Sequence, residues 1–307
     1  MDYIIQTRQL SKVYKGKEVV SNVNLHVKKG EIYGFLGPNG AGKTTVMKML
    51  MDLVKPTAGE ILLFGEEVHS TPHEKLKRIG SLIEYPVFYD HLTARENLEL
   101  HCEYMGYYKN GAVQSALDLV RLSVGEKKPV KEFSLGMKQR LGIARAMITK
   151  PELLILDEPI NGLDPVGIKE MRDLFHMLSE EYGITLFISS HILAEIEQIA
   201  DTIGVIRDGR LLQEVSLESI HQGTTEYMEV KVDDVKKAGY VLEHQLALKN
   251  YKIIDESRIR VYEAADSQAE ISKALIMSDV LVKEISQKSH SLEDYFMDII
   301  NGSKTSA

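Results

Sequence analysis

The sequence holds a single cysteine, Cys102, among 307 residues. No disulfide can close within one chain, which suits a reducing compartment, and core packing is the expected part for the thiol. No stretch approaches the ~18 apolar residues in a row that a membrane-spanning helix needs. Met1-Asp2-Tyr3-Ile4 lacks a basic segment followed by an apolar one, so no secretory signal is expected. Positive charge is also short: 37 Lys and Arg face 45 Asp and Glu, a formal net charge of -8. That balance argues against a nucleic-acid polyanion as the main partner. The remainder, 44% hydrophobic and 27% charged, has the balance of a soluble globular chain. Its length allows one large domain and a smaller one.

The most informative stretch is Gly37-Pro38-Asn39-Gly40-Ala41-Gly42-Lys43-Thr44-Thr45. It fits G-x-x-x-x-G-K-[ST], the phosphate-binding P-loop. The apolar run 31–36 before it reads as a buried strand, and residues 45–54 after it, free of Gly and Pro, read as a buried helix. Strand, glycine loop and helix is the context the motif needs. Glycines let successive N–H groups curl into one concavity, and the helix N-terminus adds partial positive charge beneath a phosphate. Lys43 is placed to reach the β- and γ-phosphates, and the Thr44 hydroxyl to bind Mg²⁺.

Around this loop the chain reads as follows. Residues 3–27 are β-rich, with strands at 4–7 and 19–27 and a turn at Lys15-Gly16-Lys17. Tyr14, just before the turn, is either a base-stacking aromatic or a core one. A strand at 60–64 and a short one ending near Glu84 precede a helical region from 93 to 150. Thr93 and Glu96 make a capping box, residues 113–122 a one-sided helix, and Ser134 an N-cap. Small residues Gly142, Ala144 and Ala146 allow close packing of that last helix, which Pro151 ends. Residues 153–156 are an apolar strand, buried on both faces, with Asp157 and Glu158 at its carboxyl end, where open α/β sheets place ligands. Residues 184–191 repeat the design and finish in Ser189-Ser190-His191; Asp208-Gly209 turns a hairpin. Beyond 219 the texture changes to strand 227–232, helix 235–246, hairpin 251–254 and 258–262, helix 267–277, strand 281–285 and helix 292–300. That order predicts a small α+β domain with an antiparallel sheet. The boundaries are therefore 1–218 and 219–307, with a helical subdomain at about 86–150. There is no second P-loop, so the chain is not a tandem repeat.

Phosphoryl transfer needs a phosphate cradle, Mg²⁺, an oriented water and charge neutralisation. Asp157 is the candidate for Mg²⁺. Glu158, which strand alternation puts on the opposite side, is the candidate general base. Lys43 and Glu158 are expected at the ends of adjacent strands, and His191 is a candidate contact to the γ-phosphate. Each also has a bland reading, as a solvated acid or a helix cap.

Taken together, these motifs resemble the ATP-binding subunit of ABC transporters over residues 3–216. The matching residues are the P-loop (37–45), the signature Ser134-Leu135-Gly136-Met137-Lys138-Gln139, the strand 153–157 with Glu158, the dimer loop Asn161-Gly162-Leu163-Asp164 and the switch His191. Tyr14 matches the adenine-stacking aromatic. The resemblance implies an α/β fold: a P-loop nucleotide-binding domain with a mixed sheet core, an antiparallel β subdomain and a helical subdomain, here followed by the small C-terminal α+β domain. It implies ATP and Mg²⁺ as cofactors, with Thr44, Glu84 and Asp157 at the metal. Two such domains close head to tail, a homodimer being permitted, so that Ser134, Leu135, Gly136 and Met137 cover the partner's ATP. ATP hydrolysis then drives an integral membrane permease subunit, placing the chain in the cytoplasm, peripheral on the inner face of the membrane. The apolar segment Tyr85-Pro86-Val87-Phe88-Tyr89 matches the region that receives the permease.

Two departures narrow the branch. Leu135 and Met137 stand where the usual signature has Gly and Gln, and Glu84 stands where the family has a glutamine. This combination looks like the bacitracin-resistance and lantibiotic-immunity exporters, implying export of a peptide antibiotic or a similar amphipathic compound. A soluble ABC ATPase acting on ribosomes or DNA is disfavoured by the single P-loop, the single Cys and the lack of heptads. A non-catalytic nucleotide-binding regulator is disfavoured by the presence of both Glu158 and His191.

Overall fold

The computed structural model describes residues 3–68, 72–122, 128–223, 226–262, 268–289 and 296. The chain folds as two units, residues 1–217 and 218–307.

The first unit opens with an antiparallel layer. Strand β1 (Tyr3–Tyr14) pairs with β2 (Lys17–Val23) and β3 (His26–Lys28). The single strand expected over 19–27 is broken after Val23. Asn22 takes a positive φ of 50°, and the Leu25 N–H is taken by the Thr7 hydroxyl at 2.8 Å instead of a ladder partner. Next come β4 (Ile32–Leu36), the P-loop and α1 (Lys43–Leu50). Strands β5 (Ala58–Leu63) and β6 (Glu66–Glu67) return to the antiparallel layer, whose order is β2-β1-β5-β6. A short α2 (Pro72–Leu76) leads to β7 (Ile79–Leu82).

The helical part follows: α3 (Ala94–Met105), α4 (Ala112–Leu119) and α5 (Leu135–Met147). Thr93 and Glu96 form the capping box, and the Ser134 hydroxyl caps α5 by accepting from the Met137 N–H. Close packing of α5 is real: a Cβ on Gly142 would meet Leu82 at 3.0 Å and Pro86 at 3.2 Å. Strand β8 (Leu153–Asp157), α6 (Pro165–Glu180), β9 (Thr185–Ser190), α7 (Leu193–Ile196), β10 (Thr202–Arg207) and β11 (Arg210–Ser216) complete the unit. Helix α6 has no counterpart among the sequence expectations. Its start is nonetheless written in Asp164, an N-cap accepting from Gly167 N at 2.7 Å, and Pro165 in the first turn.

The central sheet runs β11-β10-β4-β9-β8-β7. Strands β10, β4, β9, β8 and β7 are parallel and β11 is antiparallel. Every residue of β4, β8 and β9 is buried, as apolar strands covered on both faces require. Phe187 of β9 stacks on Tyr33 at 5.3 Å and meets Phe35 at 5.2 Å, tying β9 to β4. Truncating such a ring costs about 3–5 kcal/mol.

A short helix α8 (Leu217–Gly223) follows β11 in the chain. The second unit follows as β12 (Glu226–Val232), α9 (Val235–His244), β13 (Tyr251–Ile253), β14 (Arg258–Val261), α10 (Gln268–Met277) and β15 (Val282–Ser289). Its sheet, β13-β14-β12-β15, is antiparallel throughout. Element order β-α-β-β-α-β with the first strand central is the ferredoxin-like arrangement. Met228, Val230, Ile259 and Val261 pack with Ala238, Leu242, Ile271 and Leu275 into its own core. The helix expected over 292–300 lies outside the described residues, apart from Phe296. Among the described residues no helix is long and apolar enough to cross a membrane.

Candidate nucleotide-binding and hydrolysis site

Three neighbouring parallel strands, β4, β9 and β8, deliver their carboxyl ends to one place. β4 feeds the P-loop, β9 ends at His191, and β8 ends at Asp157 and Glu158. The expectation that Lys43 and Glu158 stand on adjacent strands is corrected here: β9 lies between β4 and β8, which puts the histidine between them.

The P-loop backbone is what its glycines permit. Gly42 has φ 104°, and a Cβ on Gly37 would sit 2.3 Å from the Ile206 carbonyl oxygen. The β10–β11 turn and the end of β9 brace the loop: Gly209 N donates to Ala41 O at 3.0 Å, and Gly37 N donates to Ser190 O at 3.1 Å. Lys43, only 5% exposed, donates to the carbonyls of Gly37 (2.6 Å) and Pro38 (3.3 Å). Its ammonium also lies 3.3 Å from Glu158 Oε1.

Asp157 and Glu158 do not diverge as alternation predicts. The strand stops at Asp157, and Glu158 takes a left-handed φ of 47°, which turns its side chain toward the P-loop lysine. A non-glycine residue held there is strained, and such strain gathers at functional sites. Thr44 Oγ1 donates to Asp157 Oδ2 at 2.7 Å. Glu158 Oε2 accepts from Asn161 Nδ2 at 3.2 Å and is 2.9 Å from His191 Nδ1. The glutamate is thus fixed at both oxygens, by Lys43 of the P-loop, Asn161 and His191.

A hydroxyl and a carboxylate 2.7 Å apart, Thr44 and Asp157, are the hard oxygen donors that suit Mg²⁺. Among the described residues no group of three or more His, Cys, Asp or Glu could cage a metal.

Glu84 is elsewhere. It pairs with Lys48 at 2.6 Å, one turn along α1 from Thr44, rather than with Thr44 or Asp157. Its own backbone is left-handed, φ 61°, at the end of the run that leaves β7. Tyr14 is 43% exposed at the end of β1, with Lys12 Nζ 4.9 Å above its ring, so the core role open to it from sequence is not the one it has.

The signature residues form a separate surface. Ser134, Leu135 and Gly136 border a cavity of about 320 Å³ together with Gly162, Leu163 and Asp164 of the dimer loop, and no P-loop residue lines it.

Comparison with known proteins bears on this constellation. A family model described as "ABC transporter" matches residues 20–161. An uncharacterized ABC transporter ATP-binding protein, YcbN of Bacillus subtilis, is 64% identical over all of both chains. The bacitracin transport ATP-binding protein BcrA of Bacillus licheniformis is 47% identical, covering 98% of this chain and 99% of that one. The chain belongs to the ABC transporter ATP-binding family. As a member, it is an ATPase with the family's nucleotide-binding fold. Solved ABC subunits agree. One is cbiO1 of Clostridium perfringens, part of the transporter complex cbiONQ, at TM-score 0.66 and 26% identity, covering 72% of this chain and 92% of that one. Another is an ATP-binding cassette dimer in a post-hydrolysis state with ADP and Pi, at TM-score 0.61 and 26% identity, covering 69% and 98%.

Sequence reasoning passes over the part that Ser189 plays at this place. Ser189 donates to Asp157 Oδ1 at 2.6 Å and accepts from the Glu158 N–H at 2.9 Å, so a single hydroxyl sets both acids. The polar tip of its strand is the available signal. Glu195 of α7 is a second addition: it accepts from the Ser190 hydroxyl at 3.2 Å, and burial pushes its carboxyl above the ordinary range, with nearby Glu158 adding to the rise against His191.

Proposed function

We propose that this chain is the ATP-hydrolysing subunit of an exporter of a peptide antibiotic or similar amphipathic compound, with Glu158 as the general base. The observation that carries the assignment of the base is the fixed Glu158 carboxylate, held by Lys43, Asn161 and His191 beside the Thr44–Asp157 pair. The exported class rests on whole-length similarity to a bacitracin transport subunit. No observation favours a ribosome- or DNA-directed ATPase.

In this reading the P-loop N–H groups and Lys43 hold the β- and γ-phosphates, and Tyr14 presents its exposed ring to the adenine. Lys43 leaves Glu158 for the phosphate, which frees one carboxylate oxygen to accept a proton from the attacking water. His191 and Asn161 keep the other oxygen in place and orient the group. Thr44 and Asp157 would hold Mg²⁺, whose charge would neutralise the phosphates. Glu84 would have to leave Lys48 to join that metal.

Ser134 and Gly136, at the N-terminus of α5, act on the ATP of a second copy, as a helix N-terminus favours an anion. The permease docks on the loop after Glu84, where Tyr85, Val87 and Tyr89 are 70%, 78% and 54% exposed. Arg145 of α5 ties that loop to the signature helix by donating to Val87 O at 2.8 Å and covering the Phe88 ring at 4.8 Å. The subunit then works at the inner face of the membrane through its permease.

The test is Glu158→Gln. It should keep ATP affinity and lower hydrolysis by about 10²–10⁴-fold, the usual worth of a general base, while trapping a nucleotide-bound dimer on gel filtration. Hydrolysis at the wild-type rate would remove Glu158 from that role.

A further inference from the structure

The P-loop and the acid pair sit at the carboxyl ends of β4 and β8. At the opposite ends of β8 and β9, a cavity of about 540 Å³ opens between the helical part and the central sheet. That volume lies in the ~300–1,000 Å³ range of small-molecule pockets. Ala112, Ala116, Leu119, Met147, Ile148 and Ile184 give it an apolar floor, and the short side chains of the two alanines together with Gly183 leave the space open.

The mouth is polar and positive. Lys109 and Lys150 line it, and among the described residues neither ammonium has a side-chain or backbone partner. Asn110 and the half-exposed Tyr182 phenol add donors. The one acid on the rim, Glu152, is committed elsewhere. It accepts from Arg78 Nε at 2.7 Å and lies 3.7 Å from Lys29, and the Arg78 bond holds its carboxyl below the ordinary range. The lysines therefore go uncompensated at this mouth in a chain of net charge -8.

We propose that this cavity is a binding site for a small organic anion with an aromatic or aliphatic body. The body enters the apolar floor, where burial drives association, and the carboxylate, sulfonate or phosphate of the ligand meets Lys109 and Lys150 at the rim. The walls belong to α4 and the end of α5 on one side and to the α6–β9 turn on the other, so an occupant braces the helical part against the sheet.

The test uses the full-length protein and two probes of matched shape, naphthalenesulfonate and the neutral naphthalenesulfonamide, titrated by calorimetry. The expected result is saturable binding of the sulfonate at one site per chain, with the sulfonamide weaker. The double variant Lys109→Glu, Lys150→Glu should weaken the sulfonate roughly tenfold or more, as reversal of two charges at the rim predicts. Ala112→Trp or, independently, Ser115→Trp should fill the space and abolish binding. Unchanged unfolding midpoints and ATP binding would show that these variants are folded. Absence of saturable sulfonate binding, equal affinity for the two probes, or indifference to both classes of variant would overturn the proposal.

Discussion

Lys43 and Glu158 carry hydrolysis in the proposed reading, and they are not equally legible. The lysine's place follows from a local rule, since glycine loop and helix start are contiguous in sequence. The glutamate's direction is not local. It depends on the left-handed φ of 47° at Glu158 and on Ser189, 31 residues away, which anchors its N–H. Alternation along a strand therefore gives the wrong side. Lys43→Ala should weaken ATP binding roughly 10- to 100-fold, the loss of charge-assisted bonds worth ~1.5–3 kcal/mol; a nucleotide-displacement titration measures it. Glu84 bears the second prediction at this scale. Its pairing with Lys48 means that the carboxylate has a competing cation 2.6 Å away. Glu84→Gln should raise the Mg²⁺ concentration for half-maximal ATPase, whereas Lys48→Gln, which frees the acid, should not. Identical Mg²⁺ titrations for wild type and Glu84→Gln would make Glu84 a bystander.

The helices and loops around α5 are the level at which caps are readable and tertiary ties are not. Thr93, Glu96 and Ser134 cap as their spacing predicts, because capping is decided within one turn. Helix α6 is legible in the sequence too, in Asp164-Pro165 and in Met171, Leu174, Phe175 and Leu178 at i, i+3, i+4 and i+7, a helical period that the reading of the flanking acidic and histidine motifs passes over. Nothing in sequence joins Arg145 to Val87, 58 residues earlier. Arg145 is half-buried, so Arg145→Met should cost about 0.5–1.5 kcal/mol in urea unfolding, the net worth of one hydrogen bond, since water can pair the exposed Val87 carbonyl. Arg145→Lys should restore only part of this, since an ammonium lacks the planar face that covers Phe88. His101 of α3 supplies a pH signature. Burial first, and Arg145 second, lower its pKa below the ordinary 6.5. The unfolded chain therefore binds the proton more readily than the folded one, and stability falls as pH drops below about 6.5. His101→Gln should flatten that part of the pH–stability curve, measured by denaturant midpoint.

At the scale of the whole molecule, the second unit illustrates the limit of element order. Strands and helices beyond residue 219 are readable as a small antiparallel α+β unit, yet the β13-β14-β12-β15 pairing is set between segments distant in sequence. The first unit raises the larger question, because its signature surface and its P-loop are separate on one chain. In the proposed reading a complete site requires a second copy to bring them together. Mixing a Lys43→Ala chain with a Gly136→Asp chain and purifying the verified heterodimer isolates that requirement. One of its two sites then has an intact P-loop facing an intact signature, and the other has neither. ATPase activity of this heterodimer should reach roughly half of wild type, as independent sites predict, while each parent homodimer stays near background. A heterodimer no more active than its parents would contradict independent sites built from two chains.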